Sequence, residues 1–171
     1  MSYKKGDALT AKELAGQIPP QERLTEGPVA IIECVEEIPC NPCVEICPQG
    51  AISMPGGLNG LPKLDWEKCN GCGVCVSGCP GLAIFVVDLT EGREPASVAL
   101  PYEFVPLPEK GEMVMALDRE GNELGPVEVL RVQKGKRLDR TSIVTIAAPR
   151  KWALVARNFR RLGRRDDREK T

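Results

Sequence analysis

Alternating apolar and polar residues in the second half of the chain predict β-strands. Four segments carry this pattern, YEFVPL, EMVMALD, PVEVLRV and TSIVTIAA, at residues 102–107, 112–118, 126–132 and 141–148. Polar turns separate them, with the hairpin sequence DREGN at 118–122 and a second turn at 134–136. We therefore predict a linker at 90–100 and then a small antiparallel sheet or barrel at 100–148, which together make up a β module at 91–148.

The two ends of the chain carry helical signals. After Pro149, the apolar residues Trp152, Val155, Phe159 and Leu162 recur at helical spacing and predict a helix over 150–162. Residues 149–171 hold nine Lys and Arg against three Asp and Glu, so we expect a basic C-terminal helix and tail. At the other end, the capping box TAKE at 10–13 predicts a short helix that ends before Pro19 within an N-terminal arm, residues 1–28.

Between these parts, residues 29–90 contain an internal repeat. Cys40, Cys43 and Cys47 recur 32 positions later as Cys72, Cys75 and Cys79. The flanking segments repeat as well, VAIIEC against LPKLDWEKC and PQGAISM against PGLAIFVV. Each half is predicted to contain a strand, a cysteine loop, a helical turn and a strand. Two such halves are expected to pack around a pseudo-twofold axis.

All eight cysteines lie in this repeat. The second run, CNGCGVCVSGCP, places Cys69, Cys72, Cys75 and Cys79 before Pro80, and the first, CVEEIPCNPCVEICP, places Cys34, Cys40, Cys43 and Cys47 before Pro48. Cysteines spaced by two, two and three residues before a proline resemble the bacterial two-[4Fe-4S] ferredoxins. The resemblance implies two [4Fe-4S] clusters with crossed ligands. Cluster 1 would bind Cys34, Cys40, Cys43 and Cys79, and cluster 2 would bind Cys69, Cys72, Cys75 and Cys47.

The first run departs from the ferredoxin spacing. The expected position of its first ligand is Glu37, whereas the thiol lies three residues earlier, at Cys34. Because thiolate suits iron better than carboxylate, we favour Cys34, with Glu37 or an open iron as the alternative. Zinc and disulfides are the other possible uses of these cysteines. Zinc sites with four cysteines usually have two CxxC pairs and a longer spacer, and disulfides need an oxidising compartment, so we favour an iron–sulfur site over both.

Composition narrows the functional classes. The chain has no histidine, which excludes Rieske ligation, histidine-ligated haem and a histidine general base. No run of 18 apolar residues and no signal-like start occur in this sequence, so we expect a cytoplasmic protein without a membrane span. Residues 1–90 hold six Lys and Arg against eleven Asp and Glu, and residues 91–171 hold seventeen against thirteen. An acidic cluster domain is typical of carriers that dock on basic partners.

These features predict an α+β protein and an electron-transfer subunit without catalytic residues of its own. The whole chain is similar to dicluster ferredoxin-type subunits that accompany flavin-dependent dehydrogenases acting on amino acids or amines. That resemblance implies a hetero-oligomer in which the partner's flavin performs the substrate chemistry. The C-terminal half would dock, with Trp152 and Phe159 as candidate anchors. The alternatives are a free-standing soluble ferredoxin and a nucleic-acid-associated subunit with structural clusters; the lack of an aromatic stacking platform argues against nucleic acid.

Overall fold

Residues 29–90, which contain the cysteine repeat and are called the cluster half below, form short helices and strands in a repeated order. The computed structural model describes residues 8–134 and 141–162. The first half of the repeat contains strand β1 (Val29–Ile32), helix α3 (Pro42–Ile46) and strand β2 (Ile52–Ser53). The second contains strand β3 (Lys63–Leu64), helix α4 (Val74–Gly78) and strand β4 (Ile84–Asp88). Each half thus places a cysteine loop and one turn of helix between two strands.

The strands of the two halves pair across the repeat. In β1 and β4, Ile32 lies opposite Ile84, and in β3 and β2, Leu64 lies opposite Ile52, in both cases antiparallel. Because each residue of the second pair lies 32 positions from its counterpart in the first, the two pairs are equivalent. The backbone continues this exchange, since Glu33 N–H donates to Ala83 C=O and Asp65 N–H donates to Ala51 C=O, both at 2.8 Å.

One seven-stranded antiparallel sheet joins the cluster half to the C-terminal half. It adds strands β5 (Ala96–Tyr102), β6 (Met113–Leu117), β7 (Glu123–Gln133), β8 (Ser142–Ala148) and β9 (Asn158–Arg161). The strand order is β1-β4-β5-β8-β7-β6-β9. Strands β5 and β9 are not neighbours in this order, yet their side chains are in contact: Phe159 of β9 stacks on Tyr102 of β5, with ring centroids 4.8 Å apart. The sheet therefore curls on itself.

The antiparallel β structure predicted for the C-terminal half is confirmed, with two corrections. Segments 112–118, 126–132 and 141–148 correspond to β6, β7 and β8. The segment 102–107 is wrong as a strand, because only Tyr102 belongs to β5 and the chain then leaves the sheet. The linker at 90–100 is wrong as well. Its second part is the first five residues of β5, whose alternate residues are buried and which pairs with both β4 and β8.

The predicted C-terminal helix is wrong. Residues Arg150–Trp152 form a single 3₁₀ turn, and Asn158–Arg161 form β9, which pairs with β6. Two observations favour the strand. Arg157 N–H donates to Leu117 C=O directly before β9, and the Phe159 side chain within β9 is buried. The ladder with β6 thus satisfies backbone groups that a helix would satisfy internally. The tail 163–171 and most of the predicted turn at 134–136 lie outside the described residues.

The N-terminal arm packs against the cluster half. Helix α1 (Ala11–Leu14) follows its N-cap residue Thr10, which forms the predicted capping box, and ends earlier than the predicted boundary at Pro19. A second helix, α2 (Gln21–Glu26), follows Pro20 and was not predicted from the sequence. Leu14 and Leu24 are buried, so the arm contributes to the core. In the part of the chain that the structure describes, no helix is long and apolar enough to cross a membrane.

Candidate metal centre

The eight cysteines line two separate cavities, four in each. Cys34, Cys40, Cys43 and Cys79 line the first cavity. Cys47, Cys69, Cys72 and Cys75 line the second. Each cavity thus receives three cysteines from one run and the last cysteine of the other. This division matches the two ligand sets that the ferredoxin resemblance implies.

The short helices explain why each run contributes to both cavities. Cys43 lies within α3 and Cys47 is the residue that ends it, so one helical turn separates the two thiols. Cys75 and Cys79 have the same relation to α4. The two helices approach closely at Gly78, where an added Cβ would lie 2.9 Å from Cδ1 of Ile46. This close packing brings the end of each helix to the other run's cavity.

Backbone N–H groups point at cysteine sulfurs in both halves. Ala51 N–H donates to Cys47 Sγ at 3.3 Å, and the equivalent Ala83 N–H donates to Cys79 Sγ at 3.4 Å. Ala30 N–H donates to Cys69 Sγ at 3.5 Å. Hydrogen bonds of this kind stabilise negative charge on sulfur and help to set the reduction potential of an iron–sulfur cluster.

Three of the cysteine thiols have raised pKa values, so that ionisation to the thiolate is unfavourable unless a cation lies nearby. Burial raises the pKa of Cys43 to about 11 and that of Cys75 to about 12. Neighbouring cysteines add to this effect, Cys79 next for Cys43 and Cys69 next for Cys75. Burial also raises the pKa of Cys34. Four clustered thiolates therefore need a positively charged centre, and an all-sulfur donor set with N–H donors around it fits a [4Fe-4S] cluster.

Cys34 and Glu37 differ in their positions relative to the first cavity. Cys34 lines the cavity with the other three thiols. Glu37 is exposed and lines a different groove, which is formed with Lys12, Glu13 and other residues. Glu37 is therefore not among the residues that line the first cavity.

A buried ion-pair network, which no sequence pattern indicates, lies next to Cys34. Glu33 accepts hydrogen bonds from Arg119 Nε at 2.9 Å and from Arg157 Nε at 2.7 Å. Burial opposes ionisation of Glu33, but the two guanidinium groups outweigh it and lower its pKa. The Arg157 guanidinium also lies over the Phe85 ring, 4.8 Å from its centroid. The network connects Arg119, in the β6–β7 turn, and Arg157, directly before β9, to Glu33, which lines the first cavity.

The N-terminal arm contacts the first cysteine of each run. Gln17 Nε2 donates to Cys34 C=O at 3.5 Å, and Arg23 Nη2 donates to Cys69 C=O at 2.6 Å. Arg23 is buried although it lies in a polar segment. Sequence patterns could not identify these contacts, because a single arginine among polar residues usually lies on the surface.

Of the two aromatic residues expected to anchor a partner, Phe159 is inaccessible and Trp152 is half-buried. Phe159 is buried in its stack on Tyr102. Trp152 packs against Gly125, where an added Cβ would lie 2.6 Å from the indole. Phe104 and Val105 are instead exposed, at 67% and 88%.

Comparison with known proteins supports the same chemistry. Residues 62–85 match the 4Fe-4S binding domain family. The ferredoxin-type protein NapF of Haemophilus influenzae is 39% identical over 61 residues, which cover 34% of this chain and 35% of the relative. An uncharacterized ferredoxin of Methanocaldococcus jannaschii is 37% identical over 76 residues, 44% of each chain. One subunit of the Na(+)-translocating ferredoxin:NAD(+) oxidoreductase complex of Acetobacterium woodii is 53% identical over 38 residues, 22% of this chain and 11% of the relative.

These similarities define the class of the cluster half. The chain contains a 4Fe-4S domain of the ferredoxin type, and its relatives include subunits of oxidoreductase complexes. The matches span less than half the length of these three relatives. No solved structure matches the chain significantly.

Proposed function

We propose that this protein is an electron-transfer subunit that binds two [4Fe-4S] clusters. Cys34, Cys40, Cys43 and Cys79 would bind cluster 1, and Cys69, Cys72, Cys75 and Cys47 would bind cluster 2. The observation that carries this proposal is the division of eight cysteines between two cavities, four in each. Cys34 is the favoured fourth ligand of cluster 1 because Glu37 lines another groove.

The surrounding residues provide what one-electron transfer needs. A bound [4Fe-4S] cluster supplies reversible acceptance of one electron. The N–H groups of Ala51 and Ala83 would stabilise the sulfur charge, and the apolar side chains of Ile32, Ile52 and Ile84 line the two cavities and would limit water access. The isoleucines lie in β1, β2 and β4, and Ala51 and Ala83 directly precede β2 and β4, so paired strands position these groups before an electron arrives.

The partner that we propose is a flavin-dependent dehydrogenase of the amino-acid or amine type. Such an enzyme removes two electrons from its substrate, and two one-electron centres would carry them away singly to a further acceptor. Relatives that are subunits of oxidoreductase complexes support assembly in a hetero-oligomer. The chain itself has no phosphate-binding glycine motif for a flavin or nicotinamide.

A nucleic-acid role has less support in this structure. Three arginines of the C-terminal segment are engaged in ion pairs, Arg157 with Glu33, Arg160 with Glu123 and Arg161 with Glu112. Guanidinium groups paired with carboxylates are less available to bind phosphate. The basic helix on which that alternative depended is replaced by β9.

Metal analysis tests the cluster content. The full chain, purified or reconstituted without oxygen, is expected to contain about eight irons and about eight acid-labile sulfides. Its reduced form should give electron paramagnetic resonance signals from two interacting centres. Stoichiometric zinc without visible absorption would overturn the proposal, and about four irons would reduce it to one cluster.

Affinity purification from the native host under anaerobic conditions tests the partner. A flavoprotein that co-purifies and reduces the clusters when its substrate is added would support the proposal. Recovery of the chain alone, with reduction by several unrelated donors, would favour a free-standing ferredoxin. Recovery that is lost on nuclease treatment would favour the nucleic-acid alternative.

A further inference from the structure

Arg23 is a buried cation that backbone carbonyl groups surround. Its side chain is directed inward from α2, and the residue is 8% exposed. Nε donates to Trp66 C=O at 2.9 Å, Nη1 donates to Gly27 C=O at 3.2 Å, and Nη2 donates to the C=O groups of Pro28 and Cys69 at 3.2 and 2.6 Å. Within residues 8–134 and 141–162, no carboxylate forms an ion pair with it.

These bonds hold the loop that carries Cys69 against the segment before β1. Gly71 lies so close to this segment that an added Cβ would be 2.6 Å from the backbone of Pro28. Ala30, two residues further along, donates its N–H to Cys69 Sγ. Cys69 and Gly71 both line the second cavity. Arg23 therefore binds the loop through the Cys69 carbonyl, while Ala30 binds the Cys69 sulfur.

The other deeply buried arginine has a carboxylate partner. Arg157 pairs with Glu33, at 4% and 7% side-chain exposure, so its charge is balanced locally. A buried cation without a counter-charge is strongly unfavourable, and protein interiors normally provide one. Arg23 has four carbonyl acceptors instead, one of them on Cys69, which lines the second cavity. A thiolate-ligated cluster bound in that cavity would supply a net negative charge, which would become more negative on reduction.

We propose that Arg23 is a positioning residue for cluster 2 that also raises its reduction potential. This inference rests on the proposed function, because it requires a cluster in the second cavity. The guanidinium charge stabilises the reduced form more than the oxidised form, since reduction adds one electron to the cluster without a proton or a change in bonds. Its hydrogen bonds to carbonyl groups separately hold the Cys69 loop in place.

Two substitutions in the full chain separate charge from hydrogen bonding. Arg23→Gln removes the charge, and Arg23→Lys keeps the charge but loses the planar fork. Arg93→Gln is the control for loss of one arginine charge, because the Arg93 side chain is 60% exposed and neither Arg93 nor its partner Asp88 lines a cysteine cavity. Each protein is titrated with dithionite and redox mediators while paramagnetic resonance follows both clusters. Iron release to a chelator is timed in parallel.

The charge role predicts a lower potential for cluster 2 in Arg23→Gln and a potential near the parent value in Arg23→Lys. Cluster 1 should be unchanged in both, and Arg93→Gln should match the parent. The positioning role predicts faster iron release in both Arg23 variants. An unshifted cluster 2 in Arg23→Gln, or equal shifts in the Gln and Lys variants, would overturn the charge role. Loss of cluster 2 from both variants would support the positioning role. Iron release at the parent rate would overturn the positioning role. A parent with stoichiometric zinc and no visible absorption would instead refute the proposed function, and a parent with about four irons would reduce it to one cluster.

Discussion

Leu82 and Gly50 occupy equivalent positions in the two halves of the repeat and share a left-handed backbone conformation. They lie 32 residues apart, with φ angles of +53° and +56°. Each donates its N–H to the carbonyl of the last cysteine of its run, Cys79 and Cys47, at 3.1 Å. The turn after each run therefore demands this conformation, and only one half places a glycine there.

The strain at Leu82 predicts a difference between two truncations of its side chain. Leu82→Gly should be more stable than Leu82→Ala by about 1 kcal/mol, because both lose the leucine side chain but alanine retains the left-handed penalty. Gly50→Ala should cost a similar amount, since its surroundings leave space for a methyl group. Anaerobic denaturant unfolding of the cluster-loaded proteins measures this. Equal stabilities of the two Leu82 variants would contradict the prediction.

The packing of Trp152 is predicted to require glycine at position 125. Its φ angle is +151°, and a Cβ there would lie 2.6 Å from the indole. Gly125→Ala should therefore lower the free energy of unfolding by about 1–3 kcal/mol. In a Trp152→Ala background the same substitution should cost less, because the clash is gone. A double-mutant cycle measures the coupling, and additive effects would show that the indole is not the cause.

Glu33→Gln should destabilise the protein strongly. It leaves Arg157, 4% exposed at its side chain, and Arg119 without their buried counter-charge. Loss of one partner from such a network typically costs about 3 kcal/mol. Combining it with Arg157→Met should restore part of that stability. The exposed pair Glu123–Arg160 provides the control, since Glu123→Gln should change stability by less than about 1 kcal/mol. Similar losses in Glu33→Gln and Glu123→Gln would refute the role of burial.

Substitution of Cys79 is predicted to damage cluster 1, although Cys79 belongs to the second run. The reason is that Cys79 lines the first cavity with Cys34, Cys40 and Cys43. Cys79→Ser should alter or remove the cluster 1 signal in paramagnetic resonance and leave cluster 2 intact. Cys47→Ser should have the reverse effect. Should each substitution affect the cluster of its own run instead, the ligands are not crossed.

Cys34 and Glu37 can be compared by matched alanine substitutions. Cys34→Ala should convert cluster 1 to a three-iron form or lose it, because one thiolate is removed from the first cavity. Glu37→Ala should leave cluster 1 unchanged, since the carboxylate lines another groove. Iron content and the spectrum of the oxidised protein report the outcome. The opposite pattern would assign the fourth position to Glu37.

Local sequence signals are sufficient where the structure is itself local. The capping box at Thr10 and the turn at 118–122 depend on neighbours within four residues, and both are present. The cysteine spacing likewise identifies the ferredoxin-type domain at 62–85. Each of these features is determined by residues close in sequence.

Sequence signals fail where distant contacts decide the structure. The helical spacing of Trp152, Val155 and Phe159 is real, but pairing with β6 and the Glu33–Arg157 bond, across 124 residues, favour a strand. The segment 96–100 follows Gly92 and Pro95 and has the composition of a linker, although β4 and β8 flank it as strand neighbours. Burial of Arg23 depends on carbonyl groups as far away as residue 69.

The exchanged backbone bonds of the repeat have a consequence for its assembly. Glu33 bonds to Ala83 and Asp65 bonds to Ala51, so neither half satisfies these groups by itself. A separated half could make the same bonds only with a second copy, across an isologous interface of a twofold dimer. In the intact chain, the segment at 54–62 connects the two halves and holds them at an effective concentration of about millimolar or higher. The two halves therefore pair within one chain as two subunits of a twofold dimer would pair between chains.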